Sequence, residues 1–193
     1  MSASKEDVKR RQVIVILEQA ALETVKTSKG YQLLNCDDHK GIHKKLNREA
    51  SQSRPDILHQ ELMALLDSPL NKAGYLKIYI QSSKGVLVEI RSSDGNHTLL
   101  NVIKNPVTKY MPANTKKYAL SVTGTLVNPW EFVETLPTDE PVVFIFGAMA
   151  HGHISKENCN YLDETISISE YPMSGAQAIC RLLNGFERHW GIL

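Results

Sequence analysis

The stretch PVVFIFGAMAHG, residues 141–152, decides the fold class of this chain. Six apolar residues lead into Gly147, and Ala148, Met149, Ala150 and a histidine separate it from Gly152. Such a short apolar run predicts a strand buried on both faces, as in a parallel sheet. The glycine after it lets the backbone turn at positive φ, or lets a ligand lie against it. Taken alone, the stretch favours a tight turn from strand into helix, because it matches neither a phosphate loop nor GxGxxG.

Length and composition limit the class of protein. The 193 residues, 42% of them hydrophobic, suit one globular domain over residues 1–193, with a polar, flexible tail over residues 1–11. The net charge is only +1, so a nucleic-acid partner requires a local basic patch. Three cysteines without a CxxC pattern indicate reduced thiols in an intracellular protein. No apolar run reaches transmembrane length, and VIVIL (residues 13–17) is too short for a signal peptide.

Strand and helix patterns alternate along the chain. Besides the strand in residues 141–147, β-branched or alternating runs predict strands over Gln12–Leu17, Leu76–Gln81, Val86–Ile90 and Thr165–Ser169, with a hairpin turn at SSKG. Helical spacing and capping patterns predict helices over Ile57–Leu66, from Asn128 and from Ser174, the last burying Ile179, Leu182, Leu183 and Phe186. This alternation predicts an α/β fold with a largely parallel sheet.

A second loop, like the first, follows a predicted strand. ISEYPMSGAQA, residues 168–178, puts a proline-containing loop between a predicted strand and a capped helix. Its main-chain N–H and C=O groups are free of a sheet ladder and suit the edge of a planar heterocycle such as adenine. Two loops at the C-terminal ends of strands form one ligand crevice in open α/β sheets. The alternative, two unrelated loops, stays open on pattern alone.

The segment before the first long helix contains an arginine and an aspartate around a proline. Asp56 is either a plain N-cap or the partner of the Arg54 guanidinium group, which would then meet a phosphate or a base edge. The basic residues near it form either a solvated loop or a nucleic-acid patch, opposed by Glu49; they are Lys40, Lys44, Lys45, Arg48 and Arg54.

Two groups of closely spaced histidines raise the possibility that the chain binds a metal ion. Cys36, His39 and His43 have C-x2-H-x3-H spacing, and His151 and His153 form an HxH pair. Zinc needs a fourth ligand or an open water position, and no suitably spaced partner is found, so we expect no metal. A metal-dependent hydrolase built on Cys36, His39 and His43 is the weakest of the functional hypotheses.

Together these residues resemble the Nep1/Emg1 family, the SPOUT-class methyltransferases that methylate N1 of a pseudouridine in small-subunit ribosomal RNA. The matching stretches span nearly the whole chain, and RPDI and DSPLN are specific; they are VILEQAALETVK, YQLLNCDDHK, SRPDILHQELMALLDSPLNKAG, VIKNPV, FGAMAHG and ISEYPMS. The resemblance implies a C-terminal trefoil knot, S-adenosylmethionine as cofactor, a homodimer, partner assembly factors, a nucleolar location in the nucleus and no membrane association.

The resemblance also implies site residues. The family's cofactor positions match Leu120, Gly147, Gly152, Ile168, Ser169, Glu170, Tyr171, Pro172 and Met173. Its RNA-contacting arginine matches Arg54, and its orienting aspartate matches Asp56. Asp56 is therefore first a residue that positions Arg54, and is also the one catalytic candidate for accepting the proton of the target nitrogen. Methyl transfer is an in-line displacement that needs alignment, with the target base presented outside a stack.

One departure from the family affects RNA recognition. The family has a long arginine-containing segment after the strand that matches VLVEI, but here Ile90 is followed directly by Arg91. We expect either a basic RNA-binding segment that is missing from this sequence between residues 90 and 91, or altered RNA recognition. The rival hypothesis is a non-catalytic RNA-binding assembly factor on a SPOUT fold. Intact cofactor loops favour the enzyme, and the missing arginines favour this rival.

Overall fold

The computed structural model of the chain describes residues 11–90 and 99–193. The tail prediction, apart from residue 11, and the Arg91 side of the junction at Ile90 lie outside these residues. Within the described part, no helix is both long enough and apolar enough to cross a bilayer.

The described residues form nine strands and five α-helices. The strands are β1 (Val13–Ala20), β2 (Thr24–Thr27), β3 (Gly30–Leu33), β4 (Leu76–Ser82), β5 (Leu87–Ile90), β6 (Leu100–Ile103), β7 (Lys117–Leu126), β8 (Val142–Gly147) and β9 (Glu164–Ser167). The helices are α1 (Lys40–Lys45), α2 (Pro55–Leu66), α3 (Pro69–Lys72), α4 (Pro129–Glu134) and α5 (Gly175–Trp190). Short 3-10 turns cover Ala50–Gln52 and Val107–Tyr110.

Seven strands form one sheet in the order β6-β5-β4-β1-β8-β7-β9. The strands from β4 to β9 in this order run parallel, and β5 and β6 extend the sheet antiparallel. The β4–β5 pair is the hairpin expected around SSKG. The prediction of an α/β fold with a largely parallel sheet is confirmed. The trefoil knot stays a prediction of the resemblance.

Strand β1 lies at the centre because its residues are apolar on both faces. Val13, Val15 and Leu17 belong to the core on one face of the sheet, and Ile14 and Ile16 belong to the core on the other. A strand buried on both faces needs cover on both sides, which is typical of parallel sheets. Helices α2, α4 and α5 cover the first face, and side chains from the segments that follow β6 and β8 cover the second.

Helix α5 packs its apolar stripe against this sheet within one chain. Ile179, Leu182, Leu183 and Phe186 are buried, and the Trp190 ring contacts Phe186 edge to face and Tyr75 at a tilt. This apolar stripe is therefore covered within one chain and gives no support for a second copy. The homodimer itself stays a prediction of the resemblance.

The helix starts are capped largely as predicted. Ser174 Oγ accepts a hydrogen bond from the Gln177 amide at 3.2 Å, and Asn128 Oδ1 accepts one from the Trp130 amide at 3.1 Å. The Glu131 carboxylate in the first turn accepts a hydrogen bond from the Asn128 side-chain amide at 3.3 Å. The Ser174 cap starts α5 directly after the loop of residues 168–174.

Candidate functional site

The two glycine- and proline-containing loops meet at one cavity. Residues 148–154 follow β8 and residues 168–174 follow β9, so both loops leave the same edge of the parallel sheet. They border a cavity of about 370 Å3, called here the loop cavity. Seven of the nine residues expected to bind a cofactor line it: Leu120, Gly147, Gly152, Ile168, Ser169, Tyr171 and Met173. Glu170 and Pro172 belong to the same loop but are not among the lining residues.

Gly152 fixes the shape of the first loop. Its φ of +100° lies in the region that side chains with a Cβ rarely adopt. Residues 148–158 contain no helix, so the expected tight turn from strand into helix is wrong. At Gly147 a Cβ would lie 3.0 Å from Cε of Met149, which is the end of a flexible side chain. The constraint at Gly152 is thus conformational, and the one at Gly147 is mild crowding.

Serine side chains hold the second loop in place of a sheet ladder. Ser167 Oγ donates to the Ser169 carbonyl at 2.9 Å, and Ser169 Oγ accepts from the Tyr171 amide at 3.0 Å. The predicted strand over Thr165–Ser169 ends earlier, at Ser167, which leaves Ile168 and Ser169 to the loop. The Tyr171 ring is 76% exposed at the cavity rim.

A bulge in β7 opens the third side of the loop cavity. Both Leu120 and Thr125 pair with Ile166 of β9, so residues 121–124 bulge out of the ladder. Leu120 and Ser121 then line the cavity. Gly124 makes the bulge possible, because a Cβ there would lie 2.5 Å from the backbone carbon of Ile166. Sequence reasoning missed both β7 and Gly124.

Glu61 is the second feature that sequence reasoning missed. It lies on α2, lines the loop cavity, and is only 1% exposed. Neither carboxyl oxygen has a hydrogen-bond partner. Burial raises the pKa of this carboxyl to about 8, so it is neutral at pH 7. The signal was present in the sequence, since position 61 falls three residues after buried Leu58 and four before buried Leu65.

Glu61 faces the start of α5. A Cβ built on Gly175 would overlap Oε1 of Glu61, so a side chain there would require the Glu61 carboxyl group to move. The carboxyl group therefore sits where the second loop becomes a helix. It is a buried polar group in contact with both the cavity and the loop that shapes it.

Arg54 and Asp56 form a two-point ion pair at the start of α2. Arg54 Nε donates to Asp56 Oδ1 at 2.8 Å, and Nη2 donates to Oδ2 at 2.6 Å. The N-cap alternative for Asp56 is wrong, because Arg54 occupies that position and Asp56 lies inside the helix. The Arg54 guanidinium lowers the pKa of Asp56, and both carboxylate oxygens are occupied. Asp56 is therefore better suited to positioning Arg54 than to accepting a proton.

The ion pair lies beside the loop cavity. Neither Arg54 nor Asp56 lines it, but Ile57 and Gln60 of the same helix do. The two side chains are 41% and 50% exposed, so the guanidinium edge faces solvent. The arrangement presents a fixed cation next to a cavity, which suits a phosphate or a base edge.

A second cavity connects the basic segment with the first. It measures about 550 Å3 and shares Met149 and Ala150 with the loop cavity. Arg48 lines it and donates to both carboxylate oxygens of Glu23, at 2.7 and 2.9 Å. Of the other predicted basic residues, Lys40, Lys44 and Lys45 are exposed on α1 or at its end. Of the five basic residues, Arg48 and Arg54 are thus paired with carboxylates, and the three lysines face solvent.

The histidines of the C-x2-H-x3-H pattern bind their own loop. His39 Nδ1 accepts from the Asn35 amide at 3.2 Å, and His43 Nε2 lies 3.1 Å from the Asn35 carbonyl. His151 and His153 are exposed in the first loop. Across residues 11–90 and 99–193, no three His, Cys, Asp or Glu side chains come together in a group that could hold a metal ion.

Comparison with known proteins identifies relatives along the chain. The model of the family described as "EMG1/NEP1 methyltransferase" matches residues 15–93 and 88–187. The Ribosomal RNA small subunit methyltransferase mra1 of Schizosaccharomyces pombe is 44% identical over 222 positions, covering 100% of this chain and 62% of its own length. The human Ribosomal RNA small subunit methyltransferase NEP1 is 41% identical, covering 95% of this chain and 84% of its own.

A solved structure shares the fold. The crystal structure of Archaeoglobus fulgidus Nep1 bound to S-adenosylhomocysteine superposes with a TM-score of 0.73, covering 93% of this chain and 99% of that one, at 19% identity. The two chains therefore share this architecture. By its family match and by its identity to these relatives, the chain belongs to the EMG1/NEP1 methyltransferase family.

Proposed function

We propose that this protein transfers a methyl group from S-adenosylmethionine to N1 of a pseudouridine in small-subunit ribosomal RNA. The observation that carries the proposal is the loop cavity, formed by the two loops that follow β8 and β9, in a chain of a methyltransferase family. Named relatives act on small-subunit ribosomal RNA, and the A. fulgidus Nep1 was solved with S-adenosylhomocysteine.

The residues of the loop cavity fit a nucleoside cofactor. Its volume of about 370 Å3 is in the range of small-molecule sites. Apolar side chains of Leu120, Phe146 and Ile168 line it together with the flexible Met149 and Met173. Gly147 and Gly152 keep side chains out of the space beside the first loop. When bound, the cofactor supplies an activated methyl group on a sulfonium.

The protein's part in this reaction is alignment and exclusion of water. The two loops and the β7 bulge fix the cavity walls on three sides, and an in-line displacement gains most of its rate from such positioning. Arg54, held by Asp56, is placed to bind the RNA beside the cavity. Because Asp56 already accepts two hydrogen bonds from Arg54, we assign it the positioning role.

Calorimetric titration tests the cofactor half of this proposal. We expect one molecule of S-adenosylmethionine, or of S-adenosylhomocysteine, to bind per chain. Absence of heat with both, and no shift in melting temperature at millimolar ligand, would contradict the proposal.

A non-catalytic RNA-binding assembly factor is the second candidate. The alignment with the S. pombe relative occupies 222 positions, 29 more than the 193 residues here, and the two family matches meet at residues 88–93. The extra positions of the relative favour the second candidate, because the resemblance places RNA-binding arginines of the family in a segment that this sequence does not have. RNA binding without cofactor binding would support it.

The remaining proposals rest on the resemblance. We propose a homodimer, a C-terminal trefoil knot, association with other ribosome assembly factors, and a nucleolar location. The exposed apolar side chains of Val122, Leu126, Trp130 and Tyr171, the first and last of which line the loop cavity, offer surface for a second copy. A fluorescent fusion that stays outside the nucleolus would contradict the proposed location.

A further inference from the structure

Glu61 has a buried carboxyl group that the mechanism above does not use. It is 1% exposed, lines the loop cavity, and has no hydrogen-bond partner on either oxygen. An unpartnered buried polar group costs about 1–3 kcal/mol, so a ligand that satisfies it gains affinity. Buried side-chain atoms without partners also occur on His43 and His189 within the described residues, but neither residue lines this cavity.

The charged groups around Glu61 leave it neutral. Burial alone accounts for its raised pKa, with no contribution from a neighbouring charge. On α2, Asp56 is paired with Arg54 and His59 is exposed. On α5, Glu187 accepts from the Leu70 amide and Arg188 stacks over Trp130. The remaining titratable groups on the packed elements lie elsewhere on α5 or at the cavity rim; they are Arg181, His189, Cys180, His153, Glu170 and Tyr171.

A neutral carboxyl group offers one donor and one acceptor side by side. The ammonium group of an S-adenosyl ligand only donates, and its carboxylate only accepts. The edge of adenine presents a ring nitrogen that accepts and an amino group that donates, which is the complement of a neutral carboxyl group. A ribose diol would instead favour an ionised carboxylate, and the buried, apolar surroundings of Glu61 disfavour ionisation.

We propose that Glu61, in its neutral form, pairs with the amino edge of the cofactor's adenine and so helps the loop cavity select an adenine nucleoside. The inference rests on the proposed function, and it adds a side-chain contact to the main-chain groups of the loops. Gly175 leaves room for the Glu61 carboxyl group in its present position, because a Cβ there would overlap Oε1.

The test compares S-adenosylhomocysteine with its analogue that lacks the 6-amino group. Calorimetry is done on the wild type, on Glu61→Gln and on Glu61→Leu, each first shown to unfold cooperatively. Loss of the amino group should weaken wild-type binding about five- to a hundredfold, since it leaves a buried group unpaired. The same change should cost Glu61→Leu less than about twofold. Glu61→Gln should behave like the wild type, because an amide also donates and accepts.

The pH dependence of S-adenosylhomocysteine binding provides a second test, which compares only the wild type and Glu61→Gln. Binding that requires the proton on Glu61 is at full strength below about pH 8 and weakens above it, whereas Glu61→Gln stays flat from pH 6 to 9. Wild-type affinity that rises with pH relative to Glu61→Gln would overturn the inference, since an ionised carboxylate would then hold an ammonium or a ribose. An equal cost of the missing amino group in wild type and Glu61→Leu would also overturn it. No binding of S-adenosylhomocysteine to the wild type would instead contradict the proposed function itself.

Discussion

Replacing Glu61 with glutamine should stabilise the protein, and by more as the pH rises. Burial raises the pKa of Glu61 from its ordinary value of 4.5 to about 8. Between these values the unfolded chain has lost the proton and the folded chain keeps it, so wild-type stability falls with increasing pH. The wild type carries no penalty from this carboxyl group below pH 4.5, and the penalty grows between pH 4.5 and 8 and is constant above that.

The size of the effect follows from the shift. At about 1.4 kcal/mol per pH unit, the wild type is destabilised by roughly 3 kcal/mol at pH 7 relative to a side chain that never ionises. Glutamine has nearly the same volume and is neutral in both states. Glu61→Gln should therefore match the wild type near pH 4.5 and exceed its free energy of unfolding by roughly 3 kcal/mol at pH 7.

Urea denaturation at a series of pH values from 5 to 8 measures this difference through the two tryptophans, Trp130 and Trp190. Glu134→Gln, which removes an exposed carboxyl group from α4, is the control and should leave the pH profile unchanged. Parallel curves for the wild type and Glu61→Gln would refute the reasoning, because they would mean that the folded and unfolded carboxyl groups titrate alike.

Three further predictions concern the site and the assembly. Gly152→Val should weaken S-adenosylhomocysteine binding at least tenfold, since φ is +100° at this cavity wall; Gly30→Val, equally strained at +99° but in the β2–β3 hairpin, should not. Arg54→Ala should weaken RNA binding and lower its salt slope by about one while sparing cofactor affinity, and Asp56→Asn should do so less; equal loss of cofactor binding in both would indicate misfolding. Sedimentation should show a dimer, and a stable monomer at micromolar concentration would contradict this.

The buried strands could be predicted from the sequence because apolar runs are local signals. VIVIL and VVFIF are short and rich in β-branched residues, and they lie next to each other as parallel β1 and β8. β7 was missed because Ser121, Thr123 and Gly124 interrupt its pattern where the strand bulges. Its core side chains come only from its first half, with Tyr118 and Ala119 buried. A bulged strand has no clear period, and its place in the sheet depends on β8 and β9.

The sequence pointed to the candidate site at its two loops and at one local ion pair. Gly147, Gly152 and the loop of residues 168–173 were singled out because glycine and proline mark turns and because the family resemblance places a ligand there, and both loops border the loop cavity. Glu61 was missed because a glutamate on a helix normally faces water, and its burial depends on how α2 packs against α5. The bidentate contact of Arg54 with Asp56 was anticipated, because a guanidinium and a carboxylate two residues apart at a helix start can meet without help from the rest of the fold.

Transfer of labelled methyl from S-adenosylmethionine to small-subunit ribosomal RNA tests the central claim most directly. The RNA should come from cells depleted of the protein, and the product should be digested to nucleosides and identified by mass spectrometry. We predict a single new methylated nucleoside, N1-methylpseudouridine, formed by the wild type and strongly reduced by Arg54→Ala. Cofactor binding with no methyl transfer to this RNA, or a methyl group on a different base atom, would contradict the account.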